Sequence, residues 1–283
     1  MFDREASHTA LATAYLRAAH QLLDAQPRIL DDPIAVRLLG NAATEKIYGT
    51  VERYQSPEAT ALRSHVVLRS RFAEDRLAAA VERGVTQYVI LGAGFDTFAF
   101  RQPSWAQSLR IFEVDHPNTQ AAKRSYLAEA GIPTPINVAF APINFENESL
   151  HDGLFRHSIS VTTPTFFAWL GVTMYLNEAA IDSTLRCMAA FSTGSEVVLT
   201  FKQPLTNESD TSRESALKLA QRVASVGEPY VSFFTPEAIK EKLLWAGFTT
   251  VEFLSPAEAD ARYFKQRKDI PTPQSTAIVY AIR

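Results

Sequence analysis

The sequence predicts an α/β protein, a mostly parallel sheet with helices on both faces, and three observations carry that reading. Short β-branched and apolar runs alternate with helical segments from Gln87 onward, and the first run enters a glycine pair, Gly92-Ala93-Gly94. Near the carboxyl end the alternation gives way to two strand-like runs joined by a loop-rich connection. Strand, helix, strand repetition marks parallel strands whose crossovers cover the sheet, and two strands without a crossover helix mark an antiparallel finish.

Taken in chain order, Glu5 to Leu23 and Pro33 to Leu39 repeat apolar residues at helical spacing, separated by a breaker stretch from Ala25 to Asp32. A longer helical pattern runs from about Pro57 to Arg83, with Pro57 suited to a first turn and Gly84 to a stop. Strand-like runs follow at Gln87 to Leu91, Arg110 to Asp115, Ile136 to Ile143, Thr165 to Gly171 and Glu196 to Phe201. Between them, Pro117 to Ala130, Glu146 to Phe155 and Asn177 to Phe191 have the length of crossover helices. Thr235 to Ala246 reads as a helix closed by Gly247, followed by strand-like Phe248 to Leu254 and Thr276 to Ile282. Lys202 to Phe234 combines a polar loop, a helical segment from Thr211 to Ser225, Gly227, Pro229 and paired phenylalanines, and reads as a lid inserted after the fifth strand. Residues 1–56 are thus expected to be accessory helices packed on a single domain of residues 57–283, with the lid at about 202–234.

Composition narrows the function. The chain of 283 residues is 46% hydrophobic and 21% charged, so it buries a core, on the order of 75% of its unfolded surface at this length. Its single cysteine, Cys187, forms no internal disulfide, and no CxxC or Cys/His cluster builds a metal site; a reducing cytoplasm is expected. The opening residues carry acids where a signal peptide needs an apolar stretch, and no uncharged apolar run reaches the ~20 residues of a membrane span. A net charge of -3 without a long basic run argues against nucleic acid, whose binding draws on neutralised phosphates. A small molecule is the favoured partner; no pattern bears on oligomeric state.

The stretch VILGAGFDTFAFR, Val89 to Arg101, is the most informative. Glycine lets the backbone turn sharply and lets a ligand approach where a Cβ would collide, and the carboxyl edge of such a sheet is where ligands bind. A dinucleotide fingerprint needs a third glycine; Thr97 stands there instead, and Asp96 puts an anion where a pyrophosphate would sit, which disfavours NAD. The second strand run ends in Asp115, roughly twenty residues beyond the glycines, where an acid accepts both hydroxyl protons of a ribose at ~1.5–3 kcal/mol. Glu113 shares its parity but lies farther from the strand end. Capping the helix that opens at Pro117 is the other role open to Asp115, and the two can coexist.

LRSRFAEDRL (Leu68 to Leu77), QYVILGAGFDTFAFR, FEVDHPNTQAAKR and WLGVTMYL (Trp169 to Leu176) resemble, in order and spacing, the leucine carboxyl methyltransferase-like family of S-adenosylmethionine-dependent methyltransferases. The resemblance extends to SHTALATAYLRAAH, DDPIA and GEPYVSFFTPEAIKEKLLWAGF, covers nearly the whole chain, and is closest to the family's bacterial group. It implies a Rossmann-like class I methyltransferase fold, seven strands with the last antiparallel, and S-adenosyl-L-methionine as cofactor. It further implies that Arg69 holds the cofactor's methionine carboxylate, that Gly92, Ala93, Gly94 and Asp96 form the turn beside the methionine moiety, and that Asp115 takes the ribose. Asn144-Phe145 stands where the family has an Asp-Leu pair at the adenine: asparagine still accepts from the adenine amino group and phenylalanine supplies an apolar wall. Leu170 stands where the family often has glutamate, so a polar contact is replaced or the acceptor pocket is more apolar. Arg17 is either the counterpart of a basic residue the family places by the cofactor or a solvated helix arginine.

Several aromatics fall at predicted strand ends and in the lid; most serve as core, with Tyr175 and Phe233, beside Leu170, favoured as the acceptor wall. The acceptor is then an apolar or aromatic molecule with one oxygen nucleophile. A carboxylate with pKa near ~4 is already ionised at neutral pH and needs no base, so no catalytic side chain is expected; a phenol with pKa near ~10 needs one, for which only His116 or His151 offers itself. The competing reading is an S-adenosylmethionine-binding protein without transferase activity, in a regulatory or assembly role. An NAD oxidoreductase lacks its third glycine, and a hydrolase lacks a G-x-S-x-G elbow.

Overall fold

The structure is a computed structural model and describes residues 6–144, 148–205, 210–265 and 267–283; Phe145 lies outside them. Seven strands are present: β1 (Gln87–Leu91), β2 (Arg110–Asp115), β3 (Val138–Pro142), β4 (Thr165–Trp169), β5 (Glu196–Thr200), β6 (Thr250–Phe253) and β7 (Ile278–Ile282). They form one sheet in the order β3-β2-β1-β4-β5-β7-β6, in which β7 runs against both its neighbours and all other pairs are parallel. The order reverses between β1 and β4, and in open α/β sheets the crevice beyond the strand ends at that point is where ligands bind.

The helices are α1 (His8–Leu23), α2 (Pro33–Gly49), α3 (Val51–Gln55), α4 (Pro57–Glu82), α5 (Pro117–Glu129), α6 (Leu150–Arg156), α7 (Glu178–Ala189), α8 (Asp210–Ser225), α9 (Pro236–Ala246) and α10 (Pro256–Ala259). Among the described residues none is long and apolar enough to cross a membrane. Every residue of β1, β4 and β5 is buried, as parallel strands covered on both sides require. Their alternation sorts the core: Tyr88, Ile90 and Phe166 face Leu68, Phe72 and Leu77 of α4, while Val89, Leu91 and Phe167 face Ile181 and Leu185 of α7 and Ile239 and Leu243 of α9.

Several predicted bounds shift for physical reasons. The third strand begins at Val138, because Ile136 is fully exposed, and the fourth ends at Trp169, before Gly171 adopts φ 76°. The helix expected at Glu146 to Phe155 opens at Leu150, with Ser149 accepting the Asp152 N–H as its cap. The helix expected to stop at Leu39 continues to Gly49 beyond a kink at Gly40, whose φ of 75° a side chain rarely adopts. The short α3 had no periodic signal.

Helices α1 and α2 pack beside α5 through Ala14, Ala18, Leu38, Ile47, Phe95 and Leu127. At their junction Asp32 is fully buried. It caps α2 through the Ala35 N–H at 3.0 Å, accepts from Thr97 Oγ1 at 2.7 Å and Arg17 Nε at 3.1 Å, and lies 3.3 Å from Arg101 Nε. Arg17, which also donates to the Phe95 carbonyl, is therefore a buried strut fastening α1 to the loop after β1; the solvated alternative is ruled out by its 5% exposure. Removing one partner of such a network strands buried charge. Asp32→Ala should lower the unfolding free energy by about 3–5 kcal/mol, read from urea denaturation midpoints; a loss under about 1 kcal/mol would show that the network is not structural.

Candidate functional site

Where β1 ends, the chain turns through Gly92 and Gly94 with φ of 67° and 48°. The turn is stitched to the end of β2: the Gly92 and Ala93 N–H groups both donate to the Val114 carbonyl, at 2.8 and 3.0 Å, and the Gly94 N–H donates to Asp115 Oδ2. Asp115 Oδ1 accepts the His116 N–H at 2.6 Å. Burial pushes the Asp115 carboxyl above its usual range, against the pull of these two donors. Each carboxylate oxygen retains a further acceptor position. The cap of α5 is not Asp115 but His116, whose Nδ1 accepts the Asn118 N–H at 3.3 Å. Asp96 shapes the same loop, accepting the Phe98 N–H at 2.8 Å.

Other elements close on this turn at points where only glycine leaves room. A Cβ on Gly92 would stand 2.3 Å from Val172 Cγ2, one on Gly94 2.9 Å from Ala10 Cβ, and one on Gly171 2.5 Å from Arg69 Nη1. Arg69 on α4 thus lies against the loop that follows β4, next to the residue that packs on Gly92. No hydrogen bond or ion pair among the described residues holds its guanidinium, and burial, with Arg17 nearby, pulls it down to about 10. The pattern is a partly buried acid and an unpaired cation flanking a glycine turn.

Of the residues expected at the acceptor wall, Tyr175 lies near Arg69. Tyr175 ends a short turn, Thr173–Tyr175, its ring 5.5 Å from that of Tyr230, and Lys202 Nζ lies 5.2 Å from the Tyr230 ring centroid. Phe233 is 43% exposed, and Tyr230 is the aromatic from that segment that meets Tyr175. Leu170 packs on the α4 side of the sheet. His65, one helical turn before Arg69, escaped the sequence reading; burial, Arg69 and Lys202 push its imidazole down to about 3, so it is neutral at neutral pH. Its only sequence signal is the helical spacing to Arg69. The two histidines that the sequence offers as bases are placed elsewhere: His116 caps α5, and His151 is exposed beside Asp152 at 3.3 Å. The Asn144 N–H donates to Glu148 Oε1 at 3.2 Å and its carbonyl accepts the Glu148 N–H at 3.0 Å; Glu148 lines a shallow, mainly apolar cleft with Leu91, Leu150, Trp169 and Leu176. Among the described residues no group of three or more His, Cys, Asp or Glu side chains is placed to hold a metal ion.

Behind Asp115, Glu113 is 1% exposed and pairs with Lys123 at 2.6 Å, while its Oε1 has no hydrogen-bond partner. Burial outweighs Lys123 and pushes the Glu113 carboxyl up to about 7. The folded protein then holds this proton more tightly than the unfolded chain. The resulting stability is full below about 4.5 and is lost as pH rises through about 7, a decline of up to about 3 kcal/mol. Urea midpoints at pH 5 and pH 7.5 should show a flatter dependence for Glu113→Gln than for the native chain; identical slopes would refute the assignment.

A family model described as leucine carboxyl methyltransferase matches residues 10–189 of this chain. YktD of Bacillus subtilis strain 168, described as a candidate S-adenosyl-L-methionine-dependent methyltransferase, is 32% identical over 292 aligned residues that cover 95% of each chain. In fold, the chain is similar to a DUF574 family protein from Streptomyces avermitilis, with a TM-score of 0.60 at 16% identity over 98% of this chain and 97% of that one. It is also similar to a candidate methyltransferase from Thermobifida fusca, with a TM-score of 0.56 at 17% identity over 95% and 92%.

Proposed function

Because the chain belongs to the leucine carboxyl methyltransferase family, we propose that it is an S-adenosyl-L-methionine-dependent O-methyltransferase acting on a small, largely apolar acceptor, with a carboxylate oxygen preferred over a hydroxyl. The observation that carries this reading is the glycine turn fastened to Asp115 at the sheet's switch point with the unpaired Arg69 beside it. Residues 57–283 are then the transferase domain, residues 1–56 its accessory helices, and 202–205 with 210–234 the segment over the acceptor side, 206–209 lying outside the described residues. The single Cys187 fits a reducing cytoplasm.

The donor set suits the cofactor. Asp115 has acceptor positions left for ribose hydroxyls, Arg69 offers a planar fork to the methionine carboxylate, and Asn144 is hydrogen-bonded to Glu148, which lines an apolar cleft of the kind an adenine ring needs. S-Adenosyl-L-methionine, when bound, supplies an electrophilic methyl group on a sulfonium sulfur. The chain's own residues then bind and align the acceptor. Lys202 keeps the acceptor side electropositive, and His65, its imidazole pushed down to about 3, is too weak a base to draw the proton of a phenol. A phenol would lack a base there, whereas a carboxylate arrives ionised and needs only alignment, which supplies much of the acceleration when the reacting atoms are held close.

Binding without transfer is the second reading, favoured by Asn144 and Leu170 standing at departures from the family pattern. Titration calorimetry with S-adenosyl-L-methionine tests the donor site: Asp115→Ala should bind about ten- to a hundredfold more weakly, and no binding by the folded native chain at millimolar cofactor would sink the proposal. A panel of aromatic and aliphatic carboxylates and phenols with labelled methyl donor tests the acceptor. Base-labile methyl esters are expected; label in phenols alone would overturn the carboxylate preference, and label in none would favour the binding reading.

A further inference from the structure

The first turn of α1 lies on the glycine turn, with Ala10 against Gly94. What seats it there comes from the far end of the chain. Glu228, in the loop after α8, accepts the His8 N–H at 3.0 Å with Oε1, and with Oε2 accepts the Thr9 N–H at 3.1 Å, Ser7 Oγ at 3.3 Å and Thr9 Oγ1. These amides are the ones a helix's first turn leaves without intrahelical partners, and the helix dipole favours a carboxylate beside them.

The same loop is tied on its other side to the turn after β4. Val231 and Ser232 N–H donate to the Met174 carbonyl at 2.7 and 3.3 Å, and Ser232 Oγ donates to the Leu176 carbonyl. Tyr230 meets Tyr175, whose hydroxyl lies close to Thr9 and Arg69. Residues 228–232 therefore bridge the two walls of the cleft. From Ala14 onward α1 is anchored in the core with α2 and α5, and Arg17 pins it to Asp32. Before Ala14, Ala10 and Leu11 pack against the same cluster and the Ser7 N–H donates to Thr119 Oγ1 at 3.2 Å. To these the half-buried Glu228 adds four hydrogen bonds accepted from Ser7, His8 and Thr9, all at the start of the helix.

We propose that Glu228 is a positioning residue for the donor site: it latches the first turn of α1 over Gly94, and its release sets the rate at which donor and product exchange. The second half of this inference rests on the cleft being the donor site; the first does not. Glu228 acts through α1 and takes no part in methyl transfer.

Amide hydrogen exchange of the full chain without ligand tests the latch directly. In Glu228→Ala the amides of Thr9, Leu11 and Val231 should exchange about tenfold faster or more, while those of β1 and β4 keep their native rates. Thr9→Val, which removes one donor and preserves the helix, should shift the same amides in the same direction and serves if Glu228→Ala does not fold. Unchanged exchange in the folded variants would overturn the proposal. Stopped-flow release of S-adenosyl-L-homocysteine tests the gate: release from Glu228→Ala should quicken about tenfold, with association quickened as well, so that Kd moves less than either rate. Faster amide exchange with unaltered release would overturn the gating role. Failure of the native chain to bind this compound at all would count against the donor-site reading and against gating, leaving the latch to be judged on the exchange rates.

Discussion

One small set of hydrogen bonds organises the molecule: the turn after β1 hangs from the end of β2. The register that sets Leu91 beside Val114 brings two backbone N–H groups within reach of a single carbonyl, and the next N–H along falls to the Asp115 carboxylate. A polar backbone segment at a buried position must find such partners or lose more than a hydrogen bond is worth. Because these come from the neighbouring strand, the turn cannot drift, and two other parts of the chain use it as a fixed surface. Ala10 lies on Gly94 and Val172 on Gly92, and Arg69 in turn lies on Gly171, next to Val172. The mouth of the cleft is thus defined by places where a side chain is forbidden as much as by the side chains that are there.

Around that turn the protein spends burial on charge. Asp32 gathers Arg17, Thr97 and Arg101, and Arg101 in turn clasps the half-buried Glu74. Glu113 and Lys123 form a second pair behind Asp115. Pairs like these gain little net stability over apolar packing, because desolvation offsets their attraction. What they supply is placement. Arg17 reaches across to the Phe95 carbonyl and Thr97 to Asp32, so the loop carrying the glycines is held at both its hinge and its far end.

The strands and most helices were legible because their signals are local. β-Branched runs, a proline at a first turn and a glycine at φ values other residues avoid each specify structure within a few residues. Gly92, Gly94 and Asp115 were readable for the same reason, the acid sitting at the end of a run whose parity could be counted. Partnerships across the chain were not. Arg17 looked like a surface arginine because Asp32, Phe95 and Thr97 become its neighbours only after three elements pack. Phe233 drew attention as a bulky aromatic near a predicted mouth; what no local signal showed is that Tyr230 is the aromatic of its loop that meets Tyr175, beside the Val231 and Ser232 bonds to Met174. His65 gains its meaning from Arg69 and Lys202, the second of which lies beyond β5.

The place of β7 in the sheet bears on how the chain matures. It is the last strand to be synthesised, yet it lies between β5 and β6 and hydrogen-bonds to both. Until it has left the ribosome, β6 has no neighbour in the sheet and β5 presents an open edge with apolar faces, the kind of surface that pairs with other chains. Closing the sheet thus awaits residues 278–282 threading between strands already made. Pairing over such separations in the chain is intrinsically slow, so this last closure is the non-local step of the sheet.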